Sequence, residues 1–133
     1  MKLNSTTDYA IRMVLFLAKE RKVTSSSKLA KAIDISPRYV LQIGSKLKDG
    51  GLIDTLYGFA GGYNLTKSPI SINLYDIIVL MEGEIQFHHQ KLWDEEKWDI
   101  LVTLNEAYAQ IENLIKMNLK SITIKDLLSQ SEI

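Results

Sequence analysis

Residues 25–66 carry the pattern that most narrows the fold: two short amphipathic helices set close together and followed at once by a glycine-rich hairpin. The triple serine Ser25-Ser26-Ser27 supplies an N-cap, and Leu29, Ala30 and Ile33 then recur on one face of a two-turn helix. After a tight connection at Asp34-Ile35, Ser36-Pro37 starts a second helix, because a serine hydroxyl accepts an orphan backbone N–H and proline is pre-shaped for the first helical position. Val40, Leu41, Ile43 and Leu47 form its inward stripe, and Gly50-Gly51 ends it with a left-handed cap. Leu52 to Tyr57 and Tyr63 to Thr66 read as two strands around the flexible tip Gly58-Phe59-Ala60-Gly61-Gly62. A helix-turn-helix alone is a weak signal, but a hairpin directly behind its second helix is a wing.

The flanks are helical by pattern. Ser5 or Thr6 can cap a helix built on Tyr9, Ala10, Met13, Val14, Phe16 and Leu17. Pro69 breaks the chain, Ile70 to Ile72 reads as a short strand, and Asn73 caps a helix carrying Leu74, Ile77, Ile78, Leu80 and Met81 that Gly83 closes. Residues 84–93 have no clear period. From Asp94 to about Lys120, Leu101, Leu104, Tyr108, Ile111 and Ile115 are spaced 3, 4, 3 and 4, a coiled-coil seam of about two heptads. Thr123 caps a last helix holding Leu127 and Leu128. The expected fold is therefore mainly α with a small β-hairpin wing. A winged helix-turn-helix DNA-binding domain occupies residues 1–83, and a linker, a long dimerisation helix and a C-terminal docking helix occupy residues 84–133.

Composition removes several alternatives. The chain has no cysteine, which excludes disulfides, thiolate zinc sites, cysteine nucleophiles and a cysteine-ligated iron-sulfur cluster, so no cofactor is expected. No apolar run is long enough to span a membrane and the amino terminus is not signal-like, so a cytoplasmic protein without membrane attachment is expected. Net charge is zero, but residues 1–67 hold eleven Lys/Arg against five Asp/Glu, a local charge of +6, and residues 68–133 balance it at −6. A basic half joined to an acidic half suggests that the first meets a polyanion such as double-stranded DNA.

On that reading Ser36, Pro37, Arg38, Tyr39 and Gln42 open the recognition helix, where side chains reach base edges or phosphates. Arg38 can pair two-pronged with guanine and Gln42 with adenine, while Tyr39 serves either as a phosphate contact or as core. Lys2, Ser5 and Tyr9, with Thr6, stand at a helix amino terminus suited to holding a phosphate. Lys28, Lys46 and Lys48 add charge, and Tyr57, Gly58, Gly61, Gly62 and Tyr63 form the wing surface. His88-His89 could bind a metal with Glu84, Glu95 and Glu96, although adjacent histidines point in different directions. Phe87, Trp93 and Trp98 could line an effector pocket or serve as core. Asp94, Glu95 and Glu96 match a helix dipole, and no nucleophile, base and orienter set is visible, so the chain is not read as an enzyme.

The chain also resembles the Rrf-two (Rrf2) family of bacterial transcriptional regulators, which includes the IscR, NsrR and CymR types. The resemblance is carried by Met1 to Ser5 with Asp8-Tyr9-Ala10, Leu29-Ala30 to Ile33, Ile35-Ser36 with Tyr39, Lys46-Leu47, Gly51-Leu52-Ile53 and the wing residues Gly58, Gly61-Gly62-Tyr63 and Leu65. It continues through Ile72, Asp76-Ile77, Glu82-Gly83, Leu92-Trp93, Ile122-Thr123-Ile124 and Asp126-Leu127. It implies a homodimer in which long helices from two subunits pack together, each subunit placing a winged domain on one operator half-site. Cluster-binding members have three cysteines in the segment matching residues 84–93, where this chain has none. Many members have an arginine before the first wing glycine, where this chain has Tyr57, and Leu41 stands where a polar base-reading residue is common. The reading is a sequence-specific regulator, a repressor, acting as a homodimer on a palindromic operator without an iron-sulfur cluster. The alternatives are a protein-interaction module, or a regulator responding to a metal or small-molecule effector through residues 84–98.

Overall fold

The computed structural model describes residues 2–87 and 99–131. The first helix, α1 (Ser5–Glu20), is capped by Asn4 rather than by Ser5 or Thr6: the Asn4 side chain accepts the Thr6 N–H at 2.9 Å, and Ser5 already lies within the helix. Ser25 caps α2 (Ser26–Ile33) through the Lys28 N–H, and Ser36 caps α3 (Pro37–Asp49) through the Tyr39 N–H. Between them Asp34 takes a left-handed conformation, φ 58°, that turns the chain within two residues. Gly50 stays right-handed at the end of α3, and Gly51, φ 75°, supplies the left-handed step.

The wing pairs β1 (Ile53–Leu56) with β2 (Gly62–Leu65) in antiparallel register, Thr55 opposite Tyr63. The first strand is shorter than the hydrophobic pattern suggests, and the second has the expected length but begins one residue earlier, at Gly62. The Leu52 N–H is used by the Leu47 carbonyl at the end of α3, and Tyr57 already belongs to the tip. Residues 70–72 do not form the expected strand. Pro69–Ser71 is a 3₁₀ turn closed by the Ser71 N–H on the Ser68 carbonyl at 2.8 Å, because proline fixes the backbone bend and offers no N–H to a sheet.

Asn73 and Asp76 form a reciprocal capping box on α4 (Leu74–Glu82), and Gly83, φ 88°, ends it. The long helix α5 runs Asp99–Ser121, and the part of the expected helix before Asp99 lies outside the described residues. Thr123 and Asp126 exchange hydrogen bonds of 3.0 Å at the start of α6 (Ile124–Ser131). These bonds to Thr123 hold the Asp126 carboxyl below the usual aspartate range.

The core gathers Met13, Val14 and Leu17 from α1, Leu29 from α2, Val40, Ile43 and Leu47 from α3, and Ile77 from α4. Ile124 joins it, so α6 returns against α1 and the Pro69–Ser71 turn. Leu41 is not part of the inward stripe: it is 53% exposed, because Val40, Ile43, Gly44 and Leu47 already fill the buried face of α3.

The wing is tied to the α1–α2 connection through one backbone pair. Thr24 and Tyr63 exchange both backbone hydrogen bonds at 2.9 Å, and a Cβ on Gly62 would stand 2.3 Å from the Thr24 carbonyl oxygen. Gly62→Ala is therefore expected to lose roughly 1–3 kcal/mol, the usual cost of forced overpacking, read as a lower midpoint in urea denaturation.

Candidate nucleic-acid interface

The helix α3 turns one face outward, and that face carries Arg38, Leu41, Gln42 and Ser45, at positions i, i+3, i+4 and i+7. Arg38 and Gln42 are exposed at its amino end, beside the capping Ser36 and exposed Pro37. Leu41 stands between them, so the surface on offer is a cation, an amide and an aliphatic side chain rather than a wholly polar set.

Tyr39 points the other way. Its ring is half-buried, meets Tyr9 edge-on with centroids 5.6 Å apart, and its hydroxyl hydrogen-bonds the Thr6 side chain. Tyr9 and Tyr39 thus fasten the amino end of α1 to the amino end of α3. Lys2 and Ser5 are exposed at the same end of α1. Lys28 is exposed on α2 and pairs with Glu20 at 3.3 Å, a surface pair too solvated to hold it firmly.

The wing tip exposes Leu56, Tyr57, Phe59 and Ala60, with Phe59 fully in solvent. Gly58, φ 105°, makes the turn, which the Gly61 N–H closes on the Gly58 carbonyl at 3.0 Å. The Lys48 amine lies 5.5 Å from the centre of the Tyr57 ring and 3.4 Å from its hydroxyl, linking the end of α3 to the wing. Lys46 and Lys48 are both exposed beside it.

Two residues expected to contact DNA meet the protein's own backbone or side-chain space instead. Tyr63 is only 6% exposed: its ring lies where a side chain on Gly44 would be, 2.9 Å from that Cβ position, so its role is to seat the wing on α3. Burial pushes its hydroxyl above the usual tyrosine range, Tyr57 adds to the rise, and Lys48 opposes it. Gly62 faces the Thr24 backbone, so its missing side chain makes room for protein. Phe59, which the sequence places in the tip but not among the candidate contact residues, is exposed because the glycines around it leave no surface for its ring to pack on.

The seam on α5 divides. Leu101, Tyr108 and Ile115 are half-buried on their own chain, whereas Leu104 and Ile111 are 41% and 44% exposed. Ile100, Ala107 and Leu114 are exposed too, so the outward apolar stripe is 100, 104, 107, 111 and 114, spaced 4, 3, 4 and 3. The inward side holds polar anchors absent from the hydrophobic pattern. Glu112, 5% exposed, accepts the Phe87 N–H at 3.0 Å and pairs with Lys116 at 3.5 Å, while Lys116 also reaches Glu84, which accepts the Tyr75 hydroxyl at 2.9 Å. That bond to Glu84 raises the Tyr75 hydroxyl above its ordinary range.

With this geometry in place, comparison with known proteins is specific. A family model described as "Rrf2: Iron-dependent Transcriptional regulator" matches residues 3–130. The transcriptional regulator CymR of Bacillus subtilis (strain 168) is 31% identical over 134 residues, covering 99% of this chain and 93% of that protein. The regulator NsrR of Shouchella clausii is 33% identical over 88 residues, covering 65% of this chain and 59% of that one. Among solved structures, B. subtilis CymR superposes with a TM-score of 0.75 at 28% identity, covering 98% of each chain. IscR of T. potens gives 0.78 at 24%, covering 98% of this chain and 88% of that one, a likeness of fold.

The family description names iron, and the donor set here does not suit a thiolate-held iron site. The chain has no cysteine, and among the described residues no three His, Asp or Glu side chains gather. His88, His89, Trp93, Trp98 and residues 94–96 lie outside the described residues. The Tyr39 anchor yields a direct check: Tyr39→Phe keeps the ring and strips the bond to Thr6, which should cost about 0.5–1.5 kcal/mol in thermal or urea unfolding.

Proposed function

This chain belongs to the Rrf2 family of transcriptional regulators, and on that premise we propose that it represses transcription by binding double-stranded DNA as a homodimer on a palindromic operator, without an iron-sulfur cluster. The observation that carries the reading is the outward face of α3, with Arg38 and Gln42 exposed at its amino end and the wing tip beside it, on a half of the chain with a charge of +6. Arg38 and Gln42 have the donor geometry for guanine and adenine edges in a major groove, and Leu41 suits a thymine methyl. Lys2, Lys28, Lys46 and Lys48 supply phosphate contacts around them.

The wing meets DNA with aromatic rings, Tyr57 and Phe59, in place of a guanidinium. Such a surface packs on sugars or wedges at a base step. In a salt titration of operator binding by fluorescence anisotropy, affinity should fall about 10³- to 10⁵-fold between about 50 and 200 mM salt. Phe59→Ala should weaken binding about tenfold while leaving that slope unchanged. A flat salt response of the unmodified protein would sink the DNA-binding reading.

The exposed stripe of α5 supports the dimer. A heptad-spaced apolar face on a helix of 23 residues calls for an apolar partner, and the same face of a second copy offers the same spacing. A two-fold dimer then sets two copies of α3 in successive major grooves about 34–36 Å apart, or a multiple of that. Leu104→Glu combined with Ile111→Glu should yield monomers in sedimentation velocity, since each carboxylate would be buried without a counter-charge. Persistence of the dimer through both changes would place the interface elsewhere.

A further inference from the structure

At the far end of α1 from the recognition helix lies a second basic surface, and it is concave. An open groove of about 1250 Å³ runs between the carboxyl end of α1, the base of the wing, the turn at Pro69 and α6. Lys19, Arg21 and Lys22 stand on one wall, Lys67 at the wing base and Lys125 in the first turn of α6. None of the five has an ion-pair partner among the described residues. The nearest acids in sequence are engaged elsewhere, Glu20 with Lys28 and Asp126 with Thr123. The floor is aliphatic, with Val23, Leu65 and Leu128.

The backbone adds a donor. Tyr63 spends both its N–H and its carbonyl on Thr24, so strand alternation turns the Leu65 N–H to the same edge, toward the groove. On the facing wall Arg21 takes a left-handed conformation, φ 56°, that ends α1.

We propose that this groove binds a small metabolite carrying two or more phosphate or carboxylate groups, and that the bound anion sets operator affinity. Five cations from three separate stretches of the chain around one cleft repel one another, and an anion spanning the cleft neutralises them while its body lies on the aliphatic floor. At least two charged groups are needed because the cations face each other across the groove. A stable protein partner would need about 800 Å² of each surface, more than one cleft supplies. The effect on DNA follows from what the walls are: one is the wing strand β2 itself, and another is the helix that follows the dimerisation helix. An anion across the groove therefore fixes the wing relative to the dimer arm. The regulatory half of this proposal rests on the DNA-binding reading; the binding site does not.

The test is calorimetric titration of the full chain with inorganic pyrophosphate, with citrate and with sulfate, at constant ionic strength. Saturable binding of one pyrophosphate or citrate per chain, at least about tenfold tighter than sulfate and about tenfold weaker in Lys22→Ala and in Lys125→Ala, supports the site. Pyrophosphate without citrate identifies a phosphate ligand, and citrate without pyrophosphate a carboxylate one. Operator affinity of the unmodified protein should shift at least about threefold with the bound anion, while both variants match it in the anion's absence. Equal weak heats for all three anions overturn the proposal. A loss of operator affinity and salt slope in the variants without anion overturns it in favour of a DNA-backbone contact, and saturable binding of polyglutamate alone overturns it in favour of an acidic protein. If the unmodified protein binds no operator, the DNA reading fails and the calorimetric outcome still decides the site.

Discussion

The ring of Tyr63 lies where a side chain on Gly44 would otherwise stand, while its backbone pairs with Thr24 on one edge and its register sets it opposite Thr55 on the other. Wing, α1–α2 connection and recognition helix are joined at this one residue. A glycine inside a helix costs about 0.5–1 kcal/mol relative to alanine. Burying a large side chain in the space it leaves returns about 1.5–3 kcal/mol, so the close approach is favourable on balance. Its consequence is geometric: the angle between the wing and the exposed face of α3 is fixed before any DNA arrives, and both can meet a duplex without an ordering cost at that joint.

Much of this scaffold is legible in the sequence because local chemistry specifies it. Ser25, Ser36, Asn73 and Thr123 each sit one residue before a helix they cap, and Gly51, Gly58 and Gly83 take the left-handed conformations their positions require. What is not legible depends on contacts distant in sequence. Nothing local distinguishes Tyr63, which is buried, from Tyr57, which is exposed, since both flank the same glycine-rich tip. Only the gap at Gly44, nineteen positions away, draws one ring inward. Leu41 reads as core by its hydrophobicity and is exposed because its neighbours Val40 and Ile43 own the buried arc. Asn4 rather than Ser5 caps α1, a shift of one residue that composition cannot resolve when three candidate caps adjoin.

The division of α5 shows why a heptad pattern read from one chain is ambiguous. Apolar residues at 100, 101, 104, 108, 111, 114 and 115 cover a continuous arc of about 140° at 3.6 residues per turn, wide enough for two different seams to be drawn through them. Packing of α5 against α4 takes Leu101, Tyr108 and Ile115 toward the protomer, with Glu112 and Lys116 holding the incoming segment at Phe87 and Glu84. The stripe through Leu104 and Ile111 is what remains outward. The polar anchors matter here because they fix the helix rotation by direction: the Glu112 carboxylate, 5% exposed, meets the Phe87 N–H in only one orientation of the helix, whereas apolar contact is non-directional.

The helix α1 connects these parts as a strut. At its amino end Thr6 holds Tyr39 of α3, and the Asn4 N–H donates to the Glu82 carboxylate at 2.8 Å, tying it to the last residue of α4. Its carboxyl end forms a wall of the basic groove and, through Thr24, meets the wing. Sixteen helical residues span about 24 Å, so the recognition helix and the groove sit at opposite ends of one rigid element that also packs on α4 and α6. A change in how α6 or the wing base sits against one end of this strut must therefore be taken up either as rotation of α1 or as a break at Tyr39 or Glu82. Close packing around Met13, Val14 and Leu17 makes rotation as a body the less costly of the two. Such a rotation carries Arg38 and Gln42 with it, and in a dimer it changes the separation of two reading heads at once.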